Sequence, residues 1–104
     1  MKALTFILAS ALLAATASHR DQDHSVAPLG GFVPDSVTAA RIAEAVWTPI
    51  YGAAAIRRQR PLAAKLVDST WIVTGTLPKN TLGGVALIEI AKRDARILRV
   101  SHGR

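Results

Sequence analysis

The stretch Trp71-Ile72-Val73-Thr74-Gly75-Thr76-Leu77 decides the fold, because its side chains follow a period of two. Its odd-numbered residues would face one side of a β-strand and its even-numbered residues the other. Trp71 falls on the more apolar side, so we expect it in the core rather than in a ligand cage. A glycine in mid-strand, Gly75, indicates a bulge or a close approach by another backbone. The stretch therefore predicts a half-buried strand.

Three further strands are predicted around this one. Leu62–Val67 alternates before it, and Val85–Ala91 follows it as an almost unbroken apolar run. A run that is apolar on both faces is typical of a central strand. Arg96–Ser101 forms the last strand, and its alternation predicts that Leu98 and Val100 face inward. Turns at Asp68-Ser69 and Lys92–Ala95 and a loop from Pro78 to Gly84 connect these strands, and the order favours a four-stranded antiparallel meander.

Two helices are predicted upstream of the strands. Asp35 or Ser36 can cap the first helix by accepting a hydrogen bond from an unpaired backbone amide. Its apolar residues recur at the helical spacing and form one stripe: Ala39, Ile42, Ala43, Val46 and Ile50. Pro49 predicts a bend or an end near residues 47–48, and Ala53–Gln59 is rich in good helix formers. This order predicts an α+β fold, with two N-terminal helices packed on one face of the sheet.

The first 34 residues differ in composition from the rest. Met1-Lys2 carries a positive charge, Ala3–Ala17 is uncharged, and it closes on the small-x-small pattern Ala15-Thr16-Ala17. This pattern predicts a signal peptide over the first 17 residues. Residues 18–34 are polar, with prolines and glycines but little apolar periodicity, which predicts a flexible tether. We expect the compact domain over 35–104, in the periplasm or outside the cell, with no membrane span after signal cleavage.

The residue types present disfavour several kinds of site. The 104 residues include no cysteine, so disulfides and a cysteine nucleophile are excluded. The acidic residues are scattered rather than paired, and Ser69, Ser101 and His102 cannot be assembled into a catalytic triad from spacing alone. The histidines and aspartates of residues 19–24 lie in the predicted tether, which lacks the rigidity of a zinc site. We therefore expect no enzyme, no metal and no cofactor.

The charge of the chain indicates the kind of partner. Thirteen Lys and Arg residues against seven Asp and Glu give a formal net charge of +6. Nucleic acid is disfavoured because export removes the chain from most of it and aromatic residues for base stacking are scarce. A positive surface instead favours an acidic protein partner. Arginine anchors interfaces well, so Arg57, Arg58 and Arg99 are the candidate contacts, together with Tyr51, whose hydroxyl could lie at the mouth of a cleft.

An ordered set of short motifs runs through the predicted domain: Ala43-Glu44-Ala45-Val46, Pro49-Ile50-Tyr51-Gly52, Ile56, Gln59, Pro61, Trp71-Ile72-Val73, Gly75, Leu77-Pro78, Gly83-Gly84, Ile88-Glu89-Ile90, Lys92, Ile97-Leu98 and His102-Gly103-Arg104. With this set, the chain from about Ile42 to its end resembles the nuclear-transport-factor-2-like fold immunity proteins of bacterial polymorphic toxin systems. The resemblance implies a small antiparallel sheet wrapped by helices. It also implies a role in neutralising a partner protein, with no catalytic residues.

One motif departs from that family. The last hairpin in such proteins usually carries Asp-Gly, whereas this chain has Asp94-Ala95. An alanine at positive φ costs about 1 kcal/mol relative to glycine, which favours another geometry for this turn.

Two functions of different classes follow from these patterns. The first is an exported, non-enzymatic immunity protein that binds a toxin domain directly. The alternative is a periplasmic protein that binds a small molecule or a cell-wall ligand in the pocket that curved sheets form against their helices. A neighbouring toxin gene would favour the first.

Overall fold

The computed structural model describes residues 24–103, which form two helices followed by a sheet. The helices are α1 (Ser36–Tyr51) and α2 (Ala53–Arg58). The strands are β1 (Ala63–Val67), β2 (Thr70–Thr74), β3 (Ala86–Ala91) and β4 (Ile97–His102). They lie in the order β1-β2-β3-β4, and every neighbouring pair is antiparallel. The predicted α+β meander is confirmed; the predicted signal peptide lies outside the described residues.

Asp35 caps α1, as the sequence predicts. Its Oδ1 accepts hydrogen bonds from the Thr38 backbone amide at 2.8 Å and from the Thr38 hydroxyl at 2.7 Å. The first of these bonds, aided by the second, holds the pKa of Asp35 below its ordinary value. The cap therefore favours the folded state above the ordinary pKa of an aspartate, and this contribution is lost as the pH falls through the lowered pKa.

The end of α1 differs from the prediction. The helix continues through Pro49 to Tyr51 and ends at Gly52, whose amide donates to the Thr48 carbonyl at 2.9 Å. Packing outweighs the hydrogen bond that proline removes, since Trp47 in this last part of the helix is completely buried. The predicted inward position of Ile50 is wrong, because its side chain is 56% exposed and Tyr51 packs against the core instead.

The core lies between α1, α2 and one face of the sheet. The strands contribute alternate residues, and α1 contributes small residues that let it approach the sheet closely. The buried hydrophobic residues are Val33, Ala39, Ala43, Trp47, Ile56, Trp71, Val73, Ala86, Ile88 and Ile90. Trp71 is in this core, as predicted, and its indole N–H donates to the Val33 carbonyl at 2.8 Å.

The folded unit begins earlier than Asp35. The amides of Phe32 and Val33 donate to the Arg93 and Lys92 carbonyls, both at 3.0 Å, and Val33 is completely buried. Gly31 adopts a φ of 82°, where a side chain would meet the Lys92 carbonyl. The end of the predicted tether is thus ordered by backbone hydrogen bonds, which apolar periodicity cannot reveal.

A β-bulge corrects the prediction for the last strand. Glu89 pairs with Arg99, but Ile90 pairs with Ile97, so Leu98 is the extra residue. A bulge shifts the alternation by one residue. Val100 keeps its place against the core, whereas Leu98 is 45% exposed and not inward.

The β3–β4 turn uses the left-handed geometry that its alanine disfavours. Ala95 has a φ of 65°, so the expectation of another turn geometry is wrong. Three hydrogen bonds hold the turn: Ala95 N–H to the Ala91 carbonyl at 2.9 Å, Ala91 N–H to the Arg96 carbonyl at 2.9 Å, and Arg96 N–H to Asp94 Oδ1 at 3.0 Å. Together they outweigh the strain at one residue.

Ala95→Gly is therefore expected to raise the free energy of unfolding by about 0.5–1 kcal/mol, because relief of the strain exceeds the entropy that glycine adds to the unfolded chain. Asn80, at a φ of 57°, is the matched control, since asparagine tolerates this region. Asn80→Gly should change stability by less than about 0.5 kcal/mol. Urea denaturation measures both, and a less stable Ala95→Gly protein would contradict this explanation.

Candidate functional site

The two ends of the sheet differ. One end carries the β1–β2 and β3–β4 turns. At the other, which we call the cavity end, β2 and β4 finish and β3 begins, beside the end of α2 and the loop 75–85. A cavity of about 420 Å³ opens at this end. Its walls come from α2, the loop 75–85 and the last residue of β4: Ala55, Arg58, Gln59, Leu77, Pro78, Thr81, Leu82, Gly84 and His102.

Gln59 organises the cavity end, because it is the buried polar residue of the described chain. Its Oε1 accepts a hydrogen bond from the Ala86 backbone amide at 2.8 Å, and its Nε2 lies 3.2 Å from Nε2 of His102. Its backbone carbonyl accepts from the Thr76 amide at 2.7 Å. One residue therefore joins the end of α2 to the beginning of β3, the end of β2 and the end of β4.

Two close approaches of glycine residues make this arrangement possible. A Cβ on Gly75 would overlap the Gln59 side chain, and a Cβ on Gly84 would overlap the backbone of Gly103. The predicted close approach at Gly75 is thus confirmed. The group that approaches is the Gln59 side chain, however, and not another backbone as predicted. Gly84 and Gly103 bring the loop against the end of β4 and so form one wall of the cavity.

The hydrogen bonds around His102 assign its tautomer. Since Oε1 of Gln59 accepts from Ala86, its amide nitrogen must donate to Nε2 of His102. The other ring nitrogen, Nδ1, then donates to the Gly103 carbonyl at 2.8 Å. The Tyr51 ring lies against this imidazole, with 5.0 Å between ring centroids and a tilt of 56°. Both ring nitrogens of His102 are thus engaged in hydrogen bonds within the chain.

The cavity end is electrostatically positive. Arg58 lines the cavity, and no acidic side chain does. The acidic residues of the described chain lie elsewhere: Glu44 pairs with Arg60, Glu89 pairs with Arg99, Asp35 caps α1, Asp94 bonds the last turn, and Asp68 lies in the β1–β2 turn. The nearest of the two turns is a strand length away, about 15–20 Å at the usual rise per residue. An anion at Arg58 would meet little repulsion.

The structure separates the four candidate contact residues. Arg58 lines the cavity together with His102, and the Tyr51 ring lies against that histidine. Arg57 precedes Arg58 in the last turn of α2 and is exposed, but it does not line the cavity. Arg99 lies on the face of the sheet away from the helices, where it is 3.5 Å from Glu89. The candidates therefore form one group near α2 and one isolated, paired arginine.

A larger and shallower groove of about 580 Å³ lies between α1 and the α2–β1 connection. It contains the ion pair of Glu44 and Arg60, whose atoms are 2.5 Å apart, and a further arginine, Arg41. Its walls hold no histidine, aromatic ring or buried amide. The chemically distinctive groups are therefore those at the cavity end.

Neither the central position of Gln59 nor the place of His102 in the cavity wall is predicted from the sequence. A usable signal was present in Gly75, because a glycine within an apparent strand often leaves room for a neighbour; the strand itself ends at Thr74, before this glycine. Within residues 24–103, no three metal-binding side chains cluster at one point. In the same range no helix has the length and apolar character needed to cross a membrane.

Comparison with known proteins gives a family match and a curated relative. A family model described as NTF2 fold immunity protein matches residues 38–104, which include all four strands and the whole cavity end. The uncharacterized protein YhhH of Escherichia coli strain K12 is 34% identical over 73 residues, 69% of this chain. The aligned part spans 58% of YhhH, so this chain matches less than two thirds of that relative's length. No solved structure gives a significant match.

Proposed function

The chain belongs to the family of NTF2 fold immunity proteins, and from this premise we propose that it neutralises a toxin domain by binding it directly. The observation that carries the proposal is the family match, which extends over nearly the whole folded unit rather than over one motif. The role requires a surface for a partner protein and no chemistry of its own.

The architecture supports a binding role without catalysis. The polar groups at the cavity end form hydrogen bonds with one another. Gln59 bonds to Ala86 and His102, and His102 bonds to Gly103. A general base needs a free lone pair within reach of a substrate proton, whereas both ring nitrogens of His102 are engaged within the chain. The same hydrogen bonds fix the surface before a partner arrives, so docking would need little rearrangement. We therefore propose a non-enzymatic protein with a preformed surface.

We further propose that the protein acts in the periplasm or outside the cell. This rests on the signal-peptide pattern of the first 17 residues.

Co-expression tests the immunity role. The probe is a candidate toxin domain chosen from the neighbouring genes, which we call the adjacent-gene toxin domain, produced under an inducible promoter with and without the chain. We expect growth to survive induction only when the chain is present, and the two purified proteins to form a stable complex. Protection without any complex would contradict direct binding. Growth arrest despite full expression of the chain in the toxin's compartment would contradict the immunity role.

Exposed arginines outside the cavity should steer association rather than hold the complex. Arg57→Glu and Arg99→Glu are expected to lower the association rate constant about two- to tenfold at low salt, with little effect on dissociation, because rim charges act mainly through the long-range field. The effect should shrink at high salt because ions screen exposed charges. Surface plasmon resonance at two ionic strengths measures it. A loss that is independent of salt would contradict a steering role.

The cavity of about 420 Å³ favours a second candidate function, binding of a small molecule or a cell-wall fragment. Muropeptides are the suitable probe, because they carry carboxylates that Arg58 could bind. A thermal shift of several degrees with muropeptides, in a protein that fails to bind the toxin domain, would favour this candidate over immunity.

A further inference from the structure

We propose that the cavity end is the anchoring site for the toxin and that it takes a carboxylate side chain of the partner, flanked by an apolar residue. This inference rests on the proposed function and adds to it the place and the chemistry of contact. In the bound state the carboxylate pairs with Arg58, and Leu82 and Leu77 cover the apolar neighbour.

The positive charge of Arg58 favours an anionic group in the cavity. Arg58 is the charged residue among the cavity walls, and its guanidinium has no partner within the described chain. Guanidinium groups bind carboxylates through two parallel N–H donors. The Gln59 amide nitrogen carries two hydrogens and uses one on His102, so a second donor remains at the cavity wall. Arg58 and this amide would both donate to a bound carboxylate.

Exposed apolar residues at the mouth of the cavity favour an apolar residue of the partner beside its carboxylate. Leu82 is 99% exposed and Leu77 is 39% exposed, and Pro78 lies beside them in the wall. An exposed leucine at the mouth of a cavity gains stability when a partner covers it, by about 25 cal/mol per Å² of apolar surface removed from water. Interfaces typically combine such an apolar centre with one desolvated charge pair. A free inorganic anion would leave these leucines uncovered.

Hydrogen bonds hold the wall that is formed by the end of α2 and the end of β4. Gln59 fixes the end of α2 to β3 and β4, and the contact of Gly84 with Gly103 fixes the end of the loop. A preformed cavity avoids part of the ordering cost of association. The other arginines with described partners are less suited, since Arg60 already pairs with Glu44 and Arg99 with Glu89.

Matched pairs of variants test the site. Arg58→Glu is compared with Arg57→Glu, its neighbour outside the cavity. Leu82→Ser is compared with Leu29→Ser, another fully exposed leucine that lies before α1. All four positions are exposed, so the fold should be retained, and circular dichroism and thermal melting verify this for each variant.

The measurement is the dissociation rate of the adjacent-gene toxin domain from each variant. We expect Arg58→Glu to speed dissociation about 30–100-fold and Leu82→Ser about tenfold, while both controls stay within about threefold. Cavity and control variants with equal dissociation rates would overturn the anchoring site while leaving direct binding intact. Absence of any complex with the wild-type protein would instead overturn the proposed function itself.

Discussion

Trp47→Ala is expected to lower the free energy of unfolding by about 3–5 kcal/mol, because it empties the largest fully buried site of the core. Domains of this size have little stability to spare, and about 5 kcal/mol is a common total at the low end. We therefore expect a substantially unfolded protein at 37 °C. Urea denaturation followed by circular dichroism measures the loss.

Two variants serve as controls for this prediction. Ile50→Ala removes an exposed apolar side chain from the same helix and should cost less than about 1 kcal/mol. Trp47→Phe keeps an aromatic ring and removes an indole N–H that is buried without a hydrogen-bond partner in the described structure. Since an unpaired buried donor costs about 1–3 kcal/mol, its removal should offset much of the lost volume. A Trp47→Ala loss as small as that of Ile50→Ala would contradict the packing described here.

Gln59→Leu is expected to lower the free energy of unfolding by about 1–3 kcal/mol, although leucine has a similar size. The change leaves the buried Ala86 amide without its acceptor, which costs about 1–3 kcal/mol, whereas the exposed ring of His102 can replace its lost donor by water. Thermal denaturation and the ring ¹⁵N shifts of His102 measure the two consequences. We expect the imidazole to lose its single tautomer together with the loss of stability.

Gln59→Glu is the informative companion to this variant. It retains an oxygen for the Ala86 amide but replaces the donor to His102 by a second acceptor, which requires a proton on Nε2 of the ring. We expect a smaller destabilisation than for leucine and an altered tautomer or charge of His102. If the Gln59→Leu protein kept the wild-type ¹⁵N shifts of the His102 ring, the Gln59 amide would not be what sets the tautomer of His102.

Much of the fold follows from local patterns in the sequence. The period of two around Trp71 and the apolar run of Val85–Ala91 predict the central strands, and Asp35 predicts the start of α1. The errors arise where a long-range contact outweighs a local rule. Pro49 does not end α1 because Trp47 is packed in the core, and Leu98 does not face inward because a bulge shifts the strand register.

The candidate site was less predictable than the fold. Arginines and an aromatic residue are reasonable contacts by type, but spacing cannot show that Arg58 lines a cavity whereas Arg57 does not. Gln59 and His102 are 43 positions apart in the chain, and only the meander brings them together. Polar groups that act through one another in this way leave no periodic signal in a single sequence.

Hydrogen–deuterium exchange of the chain with and without the adjacent-gene toxin domain tests the central claim most directly. The account predicts slowed exchange in the last turn of α2 and in the loop 75–85, and little change at the β1–β2 and β3–β4 turns. Protection confined to those turns, or no protection in a mixture at high concentration, would contradict binding at the cavity end.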